Sequence, residues 1–231
     1  NGNDGVTLDT VASASITAKV QETMTGQNLT ITDAATVTIK NGSATNGTPA
    51  ALVLDNSDTT SLTVDASTGA GTLVTGAITN TDKLATLAVS SSTTSSTVEI
   101  GTVADADNLT SLTVTALNAN ATTGAIGATG TAEKLAAVTV SATGTGVIAD
   151  IGAITADTTN STTDNDLVLT STAGVGAQID YAAINNQYGS FTETAVSNTV
   201  DDIDHAGTIT AVAMTINTSG GGHHHYAGKL D

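Results

Sequence analysis

The chain has no cysteine, no tryptophan and no arginine, and only one proline. Its 231 residues include three tyrosines, one phenylalanine and five lysines, set against 22 aspartates and glutamates for a formal net charge of -17. Each shortage closes off a class of protein. Without cysteine there is no disulfide framework, and any compartment remains compatible. So few cations disfavour nucleic acid, whose binding runs on Lys and Arg contacts to phosphate. They disfavour anionic membrane surfaces for the same reason. No apolar run reaches 18 residues, so no helical membrane span is expected. Polysaccharide lyases built on parallel β-helices need cations to neutralise acidic sugar, and this chain lacks them. Paired aspartates can hydrolyse glycosides, yet here they fall in expected turns without an aromatic platform. No catalytic residue is assigned, and the chain is expected not to be an enzyme. It begins at Asn1 rather than Met, as a processed or excised segment would.

What the sequence does have is a cassette that returns every 25 residues. Val37-Thr38-Ile39 recurs as Leu62-Thr63-Val64, Leu87-Ala88-Val89 and Leu112-Thr113-Val114, then after 26 residues as Val138-Thr139-Val140. A fixed period of this length marks a solenoid, whose units bury their apolar faces only against one another. Leu84, Leu109 and Leu135 stand three positions ahead of their cassettes, each preceded by an acid two positions earlier (Asp82, Asp107, Glu133). Fourteen positions after the second apolar residue comes another, at Val53, Ile78, Val103 and Ile154, with an early copy at Ile126. Glycine precedes most of these by two: Gly76, Gly101, Gly124 and Gly152.

Alternation of apolar residues with Thr suits a pleated strand better than a helix. The spelling L-x-x-L-x-V also opens a leucine-rich repeat, but the Asn ladder and the helical return are missing. The expected fold is therefore all-β, a parallel β-solenoid with coils of about 25 residues and a less regular C-terminal cap. Three regions follow. Residues 1–35 form N-terminal coils or a pairing strand, 36–155 the regular repeats, and 156–231 an irregular β-rich cap or assembly region. All four aromatics, Tyr181, Tyr188, Phe191 and Tyr226, lie in the last region and are the candidate interface residues.

Candidate metal ligands are the turn acids Asp55, Asp58, Asp105, Asp107, Asp164 and Asp166. Ca²⁺ takes six to eight oxygens from such groups, and acids stacked along one edge would repel one another until a divalent ion relieved them. The plainer reading is that Asp and Asn are ordinary turn residues. His223-His224-His225 behind Gly220-Gly221-Gly222 can bind transition metals or form a simple tail, and Asp202 and Asp204 with His205 are a further candidate set. Flanking the cassettes, Thr36 and Thr38, Ser61 and Thr63, Thr86 and Ala88, Ser111 and Thr113, and Ala137 and Thr139 form an outward ladder similar to that of ice-binding solenoids.

The strings K-L-A-T-L-A-V, N-L-T-S-L-T-V and K-L-A-A-V-T-V, in a Cys-free acidic chain rich in Thr, Ser, Ala and Gly, resemble the β-solenoid regions of proteobacterial surface-layer proteins of the RTX-secreted type. The resemblance covers about residues 29–155. It implies a non-enzymatic subunit of an extracellular, cell-surface lattice or filament, with calcium as cofactor, copies of itself as partners and a cell-surface polysaccharide as candidate anchor. No run matches the glycine-rich nonapeptide calcium repeat. An adhesin stalk or an ice-binding Thr-ladder module is the alternative.

Overall fold

The computed structural model describes residues 5–20, 23–41, 48–55, 58–67, 71–94, 96–104, 106–128, 132–156, 166–198 and 202–230, with backbone alone at 23–25, 48–50 and 55. Among them there is no helix. The strands of the N-terminal half are β1 (Val6–Val20), β2 (Thr23–Asn41), β3 (Thr48–Asp55), β4 (Ser61–Asp65), β5 (Leu73–Thr75), β6 (Ala77–Thr79), β7 (Thr86–Ser91), β8 (Val98–Ile100) and β9 (Ser111–Leu117). Then come β10 (Ala121–Thr123), β11 (Ala137–Thr143), β12 (Ile148–Ile151), β13 (Ile154–Thr155), β14 (Leu167–Ala173) and β15 (Gln178–Tyr181). The chain closes with β16 (Ile184–Ser197), β17 (Asp202–His205), β18 (Ile209–Gly220) and β19 (His223–Tyr226).

The protein is a parallel β-solenoid. A 12-stranded sheet includes the cassette strands in the order β14-β11-β9-β7-β4-β2, and a 7-stranded sheet runs β19-β17-β15-β12-β10-β8-β5. Each strand pairs in parallel with its counterpart one coil on, because the rest of the coil supplies the crossover that parallel pairing requires. Exact repetition keeps like over like. Val37, Leu62, Leu87, Leu112 and Val138 form one inward column, and each is at most 1% exposed.

A second column runs Val6, Leu29, Leu52, Ile78, Val103, Ile126, Ile154, Ile184, Ile209 and Leu230. Here one expectation is corrected: Leu52 fills the column, while Val53 pairs with Thr79 on the outer face. Coil lengths vary at the turns, so a constant offset of fourteen misplaces that copy by one residue.

The recurring leucines and glycines have separate causes. Leu84, Leu109 and Leu135 close four-residue turns by donating their N–H groups to the carbonyls of Thr81, Ala106 and Ala132 at 2.9 Å. Their side chains are buried, and the acid two positions earlier sits on the turn, where Asp is favoured. At the glycine corner, successive coils touch backbone to backbone. A Cβ on Gly101 would lie 2.6 Å from the carbonyl carbon of Gly76, and one on Gly124 would lie 2.6 Å from that of Gly101. No side chain fits there.

The N-terminal strand β1 joins the stack, with Ile16 over Val37. Among the described residues beyond Ala156 the coils continue. Strand β14 pairs with β11 and β16, and β16 pairs with β18, in the same parallel register. What changes there is the residue type placed inside the coils.

Candidate functional site

In the cassette column, Val138 is followed by Leu169 and then by Glu193. A carboxylate thus occupies an inward position that interior coils give to Leu or Val, and it is 0% exposed. The facing column of the 7-stranded sheet brings Ile151, Tyr181, His205 and Tyr226 into register. Parallel strands lie about 4.8 Å apart, close to the spacing at which flat rings stack. Tyr181 and His205 lie 4.7 Å apart at 10°, and His205 and Tyr226 lie 4.9 Å apart at 7°.

These rings converge on Glu193. His205 Nε2 is 3.0 Å from Glu193 Oε1, Tyr226 donates its hydroxyl to Oε2 at 2.9 Å, and Ser171 Oγ lies 3.4 Å from Oε1. Ser171 also meets the Tyr181 hydroxyl at 2.7 Å. An ionised carboxylate only accepts, so three donors around two oxygens suit it. Burial, and then the Glu193 charge, push the Tyr226 phenol well above its ordinary value. Burial is also the main cause that raises Tyr181 far above its own. His205 Nδ1 is buried without a hydrogen-bond partner among the described residues.

Ser171, His205 and Glu193 are the residue types of an acyl-transfer triad, but they are wired differently. In that chemistry the imidazole takes the proton from the serine. Here Ser171 contacts Glu193 and Tyr181, and all three side chains are buried. The arrangement is a hydrogen-bonded plug in the core.

No protein-family model matches the chain, and neither the curated proteins nor the solved structures contain a match. The outer face of the same sheet must therefore be judged on its own geometry. Asp150, Asp180 and Asp204 form an outward column that ends at His225, and Asp202 lies beneath His223. Burial raises the Asp180 carboxyl above its ordinary value; Asp204, Asp150 and Asp202 add repulsion, while the Gln178 amide opposes the shift from 2.7 Å.

Of the six expected ligand acids, three have described side chains. Asp58 is engaged by Lys83 of the next coil, Asp166 accepts from Ser190 Oγ at 2.6 Å, and Asp107 is exposed on its turn. The Asp55 side chain, Asp105 and Asp164 lie outside the described residues. Among the described residues no three His, Cys, Asp or Glu side chains converge as a metal cluster. The repulsion expected along the turn edge is relieved at Asp58 by Lys83, while Lys134 donates to the neutral Asn108 Oδ1 at 2.5 Å. His205 points into the core, away from outward Asp202 and Asp204, so those three do not form a site. Of the interface candidates, Tyr181 and Phe191 are core residues at 1% and 0% exposure, and Tyr188 and Tyr226 are half-buried.

The Glu193 cluster was hidden in the sequence because one long coil separates Val138 from Leu169 and breaks the 25-residue count. Only alignment of Glu193 with Leu169 reveals a charge in an apolar column.

Proposed function

We propose that this chain is a structural, non-enzymatic subunit of an extracellular surface layer or filament, built by adding copies end to end. The observation that carries this reading is that the first and last described coils carry the same inward columns as the interior, only partly covered. Ile16 begins the cassette column and Ile216 ends it. Both are only half-buried, although their interior counterparts are sealed. Val11 and Val212, on the first and last long strands, are 67% and 71% exposed. A strand edge with unpaired backbone groups is a template for another strand. A second copy set in register would extend both the hydrogen bonding and the columns. In this reading a cell-surface polysaccharide anchors the assembly, and calcium orders it at the acidic turns.

Negative-stain electron microscopy with millimolar calcium and with chelator tests the proposal. Sheets or filaments support it, and their loss in chelator assigns calcium to the contacts. Dispersed particles under both conditions sink self-assembly.

A second reading has an observation of its own. The outward column Thr17, Thr38, Thr63, Ala88, Thr113, Thr139, Thr170, Thr194 and Asn217 is threonine at every position but two. An ice-binding face predicts a monomer that shapes growing ice crystals, and ice that grows unshaped removes it.

A further inference from the structure

We infer that His223 and His225 form a two-histidine site for a divalent transition-metal ion such as Zn²⁺ or Cu²⁺, with Asp202 and Asp204 setting the imidazole rings. Strand β19 is extended, so alternate residues share a face. His224 turns inward, where its Nε2 meets Ser197 Oγ at 3.0 Å. His223 and His225 turn outward, with side chains 86% and 68% exposed.

Register then places one carboxylate under each ring. Asp202 pairs with His223 and Asp204 with His225. The Nδ1 atoms lie 3.3 and 3.6 Å from the aspartate Oδ1 atoms. These are ion-pair separations; a small ring shift that brings each Nδ1–H onto its carboxylate would leave the Nε2 lone pair free and directed outward, which is how metal-bound imidazoles are held. Two such rings at alternate positions are about 7 Å apart along the strand. Outward-leaning imidazoles can close that gap onto one ion at roughly 2.0–2.1 Å from each nitrogen.

The surroundings suit a cation. A shallow depression is lined by these four residues with Gly222 and His224, and it contains no lysine. Imidazole favours zinc, copper or nickel over calcium. The carboxylates act through the rings, so the direct ligands are two, and water completes the coordination.

The test is titration of the full chain with Zn²⁺ by calorimetry, with Cu²⁺ electron paramagnetic resonance to count nitrogen ligands. One ion per chain and two coupled nitrogens are expected. His223→Ala and His225→Ala should each weaken binding at least tenfold, while His224→Ala stays within about twofold. Asp202→Asn and Asp204→Asn should weaken it by about 10–100-fold, the usual effect of removing a carboxylate behind a ligating histidine. Circular dichroism confirms that each variant keeps its fold. Equal losses at all three histidines would mean a flexible tract binds the ion and would overturn the site. So would unchanged affinity after removal of His223 and His225, or the absence of any aspartate effect.

Discussion

Glu193, the one charged residue in an otherwise aliphatic cassette column, meets His205 at 3.0 Å, and neither side chain exceeds 1% exposure. Leaving one member of a buried pair without the other costs about 3–5 kcal/mol, because the remaining group is desolvated and unsatisfied. His205→Ala is therefore expected to lower stability by that order in chemical denaturation. Glu193→Leu alone should also destabilise, since it strands His205 and the Tyr226 hydroxyl. The double variant Glu193→Leu with His205→Ile, which restores an aliphatic cassette column and leaves no half of the pair behind, should recover most of the loss. A single Glu193→Leu more stable than the parent would contradict the role assigned to the cluster.

The glycine corner makes a second, purely steric prediction. Gly124→Ala adds a methyl where the Gly101 backbone lies within 2.6 Å. Overpacking of this kind costs about 1–3 kcal/mol, and here the obstacle is main chain that cannot swing aside. Thermal unfolding should show the drop, and a variant as stable as the parent would mean that the coils separate more easily than the stack implies.

Two outward aspartates should respond to acid in opposite directions. Burial alone would raise Asp65, but hydrogen bonds from Ser67, Ser90 and Lys40 outweigh it and hold its carboxyl below the ordinary value. A lowered folded value gives stability that is present above about pH 4 and is lost as pH falls through the folded value. Asp65→Asn should thus destabilise at pH 7 and converge with the parent in acid. Asp180 is raised, chiefly by burial. Its charged form is disfavoured in the fold, so the penalty is full above its folded value and fades as pH falls through it. Asp180→Asn should stabilise at pH 7, with an advantage that shrinks in acid. Both effects stay below about 1 kcal/mol, because these side chains are partly solvated. Unfolding midpoints measured from pH 3 to 8 check both signs.

End-to-end assembly predicts a separation between folding and polymer growth. Val212→Lys places a charge on an exposed apolar position of the last long strand, where Val212 is 71% exposed. It should shorten or abolish polymers under the microscope while moving stability by no more than about 0.5 kcal/mol, as for most exposed positions. Polymers of undiminished length would place the contact elsewhere.

The solenoid was legible because its cause is local and repetitive. Leu62, Leu87 and Leu112 recur at one interval, and strand registry copies that interval directly into a column. The turn leucines and corner glycines were visible for the same reason. Legibility failed where the coils changed length. Leu52 was displaced by one residue, and the lengthened coil before Leu169 concealed Glu193. The turn acids illustrate a different limit. Composition counts Asp58 as a free charge, whereas the stack brings Lys83 over it from the following coil. Likewise the rings at 181, 205 and 226 carry no sequence period, and only registry between three successive strands makes them neighbours.

The coil-to-coil backbone bonds have a mechanical consequence. At one corner Thr60 donates to Ala35, Ala85 to Thr60, Thr110 to Ala85, Ala136 to Thr110 and Val168 to Ala136, so these bonds run along the axis as a chain of single links. Tension along that axis loads each layer in series, and the weakest layer sets the breaking force. Tension along the strands is carried by the covalent backbone. A material woven from such rods would yield readily between layers and resist stretching across them.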